Sequence, residues 1–85
     1  MDLKDTCEMM GSADYKERFR AEYAQLSIRY NKLMNMLKGY REGTLSFTPS
    51  CSYELLHEQS VYMKDYLDIL DQRAEIESVD VSDLK

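Results

Sequence analysis

Glu54-Leu55-Leu56-His57 sets a carboxylate and the single imidazole of this 85-residue chain one helical turn apart. Two such pairs plus two further glutamates build the di-iron centres of four-helix bundles, and two copies of the chain, each lending Glu22, would hold the parts. Ligands of that kind project into a bundle core. On helical spacing Glu54 and His57 fall instead on the polar face of their segment, so the sequence predicts no metal and no cofactor. No serine occupies a nucleophile elbow, no glycine loop is built to cradle a phosphate, and no spacing pairs a cysteine with His57. Ser12, Ser50 and Ser52 fit caps and turns, and Asp65, Asp68 and Asp71, three residues apart, read as a solvated acidic stripe. The expectation is a protein that is not an enzyme.

Aromatic and cationic side chains offer more. Of seven tyrosines, Tyr23, Tyr30, Tyr62 and Tyr66 lie on apolar helical seams, where packing accounts for the rings. Near the start of the first long segment, Lys16, Arg20, Tyr23 and Ser27 share one edge, with Tyr15 and Phe19 beside them. Rings that stack on a base, next to cations that meet a phosphate at a helix N-terminus, form a nucleotide-binding set. Tyr15, Lys16, Phe19, Arg20 and Tyr23 are therefore the predicted ligand-binding residues.

The elements that position them are helical. One proline, three glycines and 32% charged residues favour helix. Asp14 with Glu17 resembles a capping box, and Phe19, Tyr23, Leu26, Tyr30, Leu33, Leu37 and Tyr40 follow at alternating spacings of four and three, a heptad seam. Gly39 and Gly43 mark its end. A connection follows in which Leu45 and Phe47 are expected as apolar plugs, and Thr48-Pro49, Ser50 or Ser52 starts a second helix reaching about Glu77. In that helix Leu55, Leu56, Tyr62, Met63, Tyr66, Leu67, Ile69, Leu70, Ala74 and Ile76 spread over ~180°, with Gln59, Arg73 and Glu77 inside the arc, whereas one packing partner covers roughly 100°. The surplus strip predicts a further helix on it, either the short segment Leu3 to Met10, through Leu3, Met9 and Met10, or another subunit. Leu55, Tyr62, Tyr66, Ile69 and Ile76 are the predicted protein-interface residues. The expected fold is all-α, an antiparallel αα-hairpin over 14–77 with an N-terminal tail or short helix over 1–13 and a frayed C-terminal tail over 78–85, assembled into a homo-oligomeric bundle.

Size and charge bound the function. A chain this short hides only roughly 60–65% of its extended surface on folding, so a lone monomer is marginal. The net charge of −5 disfavours binding to the DNA backbone. The charge is divided: Asp14 to Gly43 holds seven basic residues against four acidic, and Thr44 to Lys85 holds three against nine, so the halves attract within a chain or between copies. No stretch approaches the ~20 apolar residues of a membrane span, and Met1 to Met10 lacks the apolar core of a secretory signal. Cys7 and Cys51 fit two reduced thiols of a cytoplasmic protein.

The run Tyr-Lys-Glu-Arg-Phe-Arg-Ala-Glu-Tyr from Tyr15 to Tyr23, then Gln25-Leu26, Arg29, Lys32-Leu33 and Met36-Leu37, resembles the first helix of small proteins from crAss-like gut phages and related Firmicutes prophages. Phe47-Thr48-Pro49, Leu55-Leu56, Glu58-Gln59, Met63, Tyr66-Leu67, Leu70 and Arg73 extend the resemblance to about Glu77. It implies a phage or prophage origin, a helical hairpin and a place in the host bacterial cytoplasm, and it carries over no catalytic residue. The expected function is counter-defence by binding, sequestering a cyclic or ADP-ribose-type nucleotide signal at a subunit interface. The alternatives are an inhibitor of a host enzyme that lays its acidic second helix, around Asp65, Asp68 and Asp71, on a basic surface of that partner, a host defence protein, and a structural helical assembly factor.

Overall fold

Asp14 starts the longest element of the computed structural model, which describes residues 2–85. Its carboxylate accepts from the Lys16 amide at 2.9 Å, capping helix α2, Tyr15–Glu42. The expected box with Glu17 does not close: Glu17 accepts from the Ser12 hydroxyl at 2.8 Å instead, and Ser12 accepts from the Asp14 amide. Gly43 ends α2 in the left-handed conformation (φ 71°), and the Thr44 amide reaches back to the Gly39 carbonyl at 2.9 Å. Leu45 folds over Gly39 as an apolar plug, at a spot where a Cβ would stand 2.8 Å from its side chain. Phe47 does not act as a second plug and lies exposed.

Of the caps that the sequence left open, Ser52 starts helix α3, Tyr53–Ile76, by accepting from the Leu55 amide at 3.2 Å. Tyr23 meets Asp71 and Tyr40 meets Tyr53, so α2 and α3 run antiparallel. The α2 seam is the packed one: Phe19, Tyr23, Leu33 and Leu37 are buried against α3, which turns Ser60, Leu67, Leu70 and Ala74 inward.

A short helix α1, Leu3–Met10, precedes them, capped reciprocally by Asp2 and Asp5. It lies on α2, where the fully buried Ala21 leaves room for close approach and Gln25 donates to the buried Thr6 hydroxyl at 2.8 Å. Its backbone keeps clear of α3, although Met10 lines a cleft together with Arg73 of α3. The expectation that α1 shields the surplus strip of α3 is thus corrected: α1 packs on α2, and the strip stays exposed.

The C-terminal residues are not frayed. Ser78 turns the chain with a positive φ of 58°, and Val79, Val81 and Leu84 then fold into the core, the last within a single 3₁₀ turn, Ser82–Leu84. They join Phe19, Tyr23, Ala24, Leu67, Leu70 and Ala74 in one cluster at the end of the hairpin where α2 begins and α3 finishes. The Val79-Asp80-Val81 alternation, too short for a strand, works as two apolar anchors with a solvated residue between them.

Candidate functional site

Tyr15 and Lys16 stand exposed at the start of α2, as a binding edge requires. The other three predicted ligand residues are committed inside the chain. Phe19 is 4% exposed, with the Arg73 guanidinium over its ring at 4.9 Å. Tyr23 is buried and its hydroxyl donates to Asp71 Oδ1 at 2.8 Å; burial first, then that hydrogen bond, pushes the phenol up to about 12. Arg20 holds the C-terminal segment, donating to both Asp83 carboxylate oxygens at 2.8 and 3.1 Å and to the Asp80 carbonyl. The hydrogen bonds to Asp83 hold the guanidinium pKa up and the Asp83 pKa down. Asp80 is also held low, by the amide and hydroxyl of Ser82 that its carboxylate accepts.

The five residues therefore do not converge on one pocket. Tyr15 and Phe19 do share a cleft of about 300 Å³, and the cations beside them are Arg18 and Arg73 in place of Lys16 and Arg20, with Met10 and Glu22 completing the wall. Arg18 is steadied by donating to the Ser12 carbonyl at 2.7 Å, and Arg73 by Glu77 at 2.9 Å. The arrangement offers one open tyrosine ring and two guanidiniums beside one carboxylate, Glu22, which the Tyr66 hydroxyl already engages; the guanidiniums outnumber it and suit an aromatic anion.

The α3 strip expected at an interface is exposed along its whole length: Leu55, Tyr62, Tyr66, Ile69 and Ile76 are 45–82% accessible. With Gln59 and Arg73 between them, these side chains repeat at four and three residues, a second heptad seam about 120° around α3 from its core-facing side. Its first half opens into a groove of about 590 Å³ lined by Leu55, Glu58, Gln59, Tyr62, Met63 and Tyr66. The seam and the cleft adjoin: Arg73 belongs to both, and the Tyr66 hydroxyl donates to Glu22 on the cleft wall. That hydrogen bond holds the Tyr66 pKa up.

The acidic stripe is partly spent within the chain. Asp68 pairs with Lys64 at 2.5 Å, and Asp71 takes Tyr23 and, at 3.7 Å, Lys85, which leaves Asp65 as its uncommitted member. Among the described residues no three His, Cys, Asp or Glu side chains gather to hold a metal ion, and Glu54 and His57 are both exposed. Among the same residues Cys7 and Cys51 are free and exposed, and no described helix is long and apolar enough to cross a membrane.

A family model described as Sequestin matches residues 13–76, which spans both long helices and the cleft residues from Tyr15 to Arg73. The chain belongs to the Sequestin family. No curated protein and no solved structure matches it.

Sequence reasoning missed Arg18 and Arg73. Arg73 carried a usable signal: it is a cation inside an otherwise apolar arc, a place where a guanidinium needs a ring or a carboxylate to lie against. Arg18 carried none, being one of seven basic residues along α2.

Proposed function

We propose that the protein acts by binding and not by catalysis, sequestering a nucleotide-type signal of the cyclic or ADP-ribose class. The observation that carries this reading is the cleft of Tyr15, Arg18, Phe19 and Arg73 opening directly beside the exposed α3 seam. A second copy of the chain seats on that seam, since unpartnered apolar strips of this length are uncommon on monomers and a heptad repeat suits another helix. The second copy then walls the cleft on its open side and excludes water from the ligand. Stacking on Tyr15 takes the base, and the two guanidiniums take phosphate oxygens. The family name, which denotes sequestration, supports the mode of action. The resemblance to phage proteins supports its setting, the disarming of a host defence signal in the bacterial cytoplasm.

Isothermal titration with ADP-ribose and with a cyclic dinucleotide tests the reading. The wild-type chain is expected to bind one of the two, and Arg18→Gln to weaken that binding by about tenfold or more, the worth of one charge-assisted hydrogen bond, with thermal stability unchanged. Binding of neither probe, or equal binding by Arg18→Gln, contradicts it.

A further inference from the structure

At the other end of the hairpin a second cleft, of about 340 Å³, lies between the last turns of α2 and the first turns of α3. Its walls carry Asn35, Lys38 and Arg41 from α2 and Tyr53 and His57 from α3, over a floor that includes the buried Leu37. In a chain of net charge −5 this wall holds two cations and an imidazole and no carboxylate; Glu42, Glu54 and Glu58, the acids adjacent in sequence to its residues, are not part of it.

Two features make it a built cleft. First, the rings are fixed: Tyr53 stacks on His57 at 6.0 Å with planes 21° apart, and Tyr40 meets Tyr53 edge-on at 5.8 Å while donating to the Cys51 carbonyl. Second, the cations are unspent. Among the described residues neither Lys38 nor Arg41 enters an ion pair, although Arg20, Lys64, Arg73 and Lys85 all do. Arg41 lies in the last turn of α2, where the negative end of the helix dipole steadies a cation without a carboxylate and leaves its donors for a ligand. A volume near the lower end of ligand cavities suits a mononucleotide, which this cleft takes without the second copy of the chain that the cleft at Tyr15 needs to enclose a larger ligand.

We infer that this cleft is a binding site for a phosphate monoester carrying an aromatic ring, of nucleoside monophosphate size. Lys38 and Arg41 take the phosphate oxygens, Asn35 offers its amide to the sugar or base, and the Tyr53–His57 stack provides the aromatic face. The site is separate from the cleft at Tyr15 and lies off the exposed α3 seam, so it does not depend on pairing between copies.

His57 is the only histidine, which makes its ring protons a resolved reporter in proton NMR. Titration with AMP is expected to shift them saturably, and inorganic phosphate to bind more weakly for want of stacking. The double variant Lys38→Gln/Arg41→Gln, altered at two exposed positions, is expected to lose about tenfold or more in AMP affinity while its helical circular dichroism at the titration temperature stays that of the wild type. Arg18→Gln, at the other cleft, is expected to titrate with AMP as the wild type does, so failure of one site is distinguishable from failure of the other. No AMP-dependent shift in the wild type, equal affinity for AMP and phosphate, or wild-type affinity in the double variant would overturn the assignment.

Discussion

Leu70 and Ile69 are neighbours on α3 with opposite fates. Leu70 is 1% exposed, in the cluster with Phe19, Tyr23 and the C-terminal valines, whereas Ile69 is 56% exposed on the outer seam. The same contrast runs the length of the helix. Its inward face is buried against α2 and the C-terminal segment, and its outward seam from Leu55 to Ile76 reaches other elements, among the described residues, through the Tyr66–Glu22 and Arg73–Phe19 contacts. One face specifies the fold. The other is left exposed by it, and is the face on which the proposed pairing of copies rests.

The largest expected effect sharpens that contrast. Leu70→Ala should lower the unfolding free energy by about 3 kcal/mol, the usual loss for a large buried side chain, while Ile69→Ala should change the stability of the single chain by less than about 0.5 kcal/mol. Urea unfolding followed by circular dichroism at low protein concentration measures both. Equal costs would mean that the two faces are not distinct.

A smaller effect lies at the polar edge of the inward face. Tyr23→Phe removes the hydrogen bond to Asp71 and should cost about 1 kcal/mol. The phenol also sets an alkaline limit. The unfolded tyrosine releases its proton near 10 and the folded one holds it to about 12, so the stability it contributes is complete below the first value and lost as pH rises through the second. Denaturation midpoints between those two values should fall for the wild type and fall less for Tyr23→Phe. Parallel profiles would show that the phenol stays exposed to water.

Smallest is the clamp on the C-terminal segment. Arg20→Ala removes the bonds to Asp83 and the Asp80 carbonyl but leaves Val79, Val81 and Leu84 apolar. Hydrogen exchange should therefore quicken at residues 79–84 and stay unchanged in the middle of α3. In the wild type, lowering the pH through the depressed carboxyl range of Asp80 and Asp83 should loosen the same residues, since stabilisation from a lowered pKa is present above that range and lost below it. Uniform exchange in the variant would place Arg20 outside the clamp.

Much of the hairpin was legible before any coordinates. Asp14 as cap, Gly43 as stop and the seam from Phe19 to Tyr40 rest on local rules that the structure follows. What was not legible depends on which surface meets which. The α3 arc was visibly too wide for one partner, and Leu55, Tyr62, Tyr66, Ile69 and Ile76, the residues expected on its surplus strip, do lie exposed; packing adds which others, Leu67, Leu70 and Ala74, turn inward. Likewise, Val79, Val81 and Leu84 are weakly patterned until the turn at Ser78 returns them to α2. The residues expected on the α2 binding edge divide for the same reason. Phe19 and Tyr23 suit stacking by type, and the fold uses both as core, which leaves Tyr15 with Arg18 and Arg73 to face solvent.

Native mass spectrometry at micromolar concentration, with and without ADP-ribose or a cyclic dinucleotide, tests the central claim most directly. The account predicts an assembly of at least twice the 10.0 kDa chain that gains a discrete nucleotide mass, and that Ile69→Glu returns to the single-chain mass. A wild-type particle of 10.0 kDa that takes up no nucleotide would contradict it.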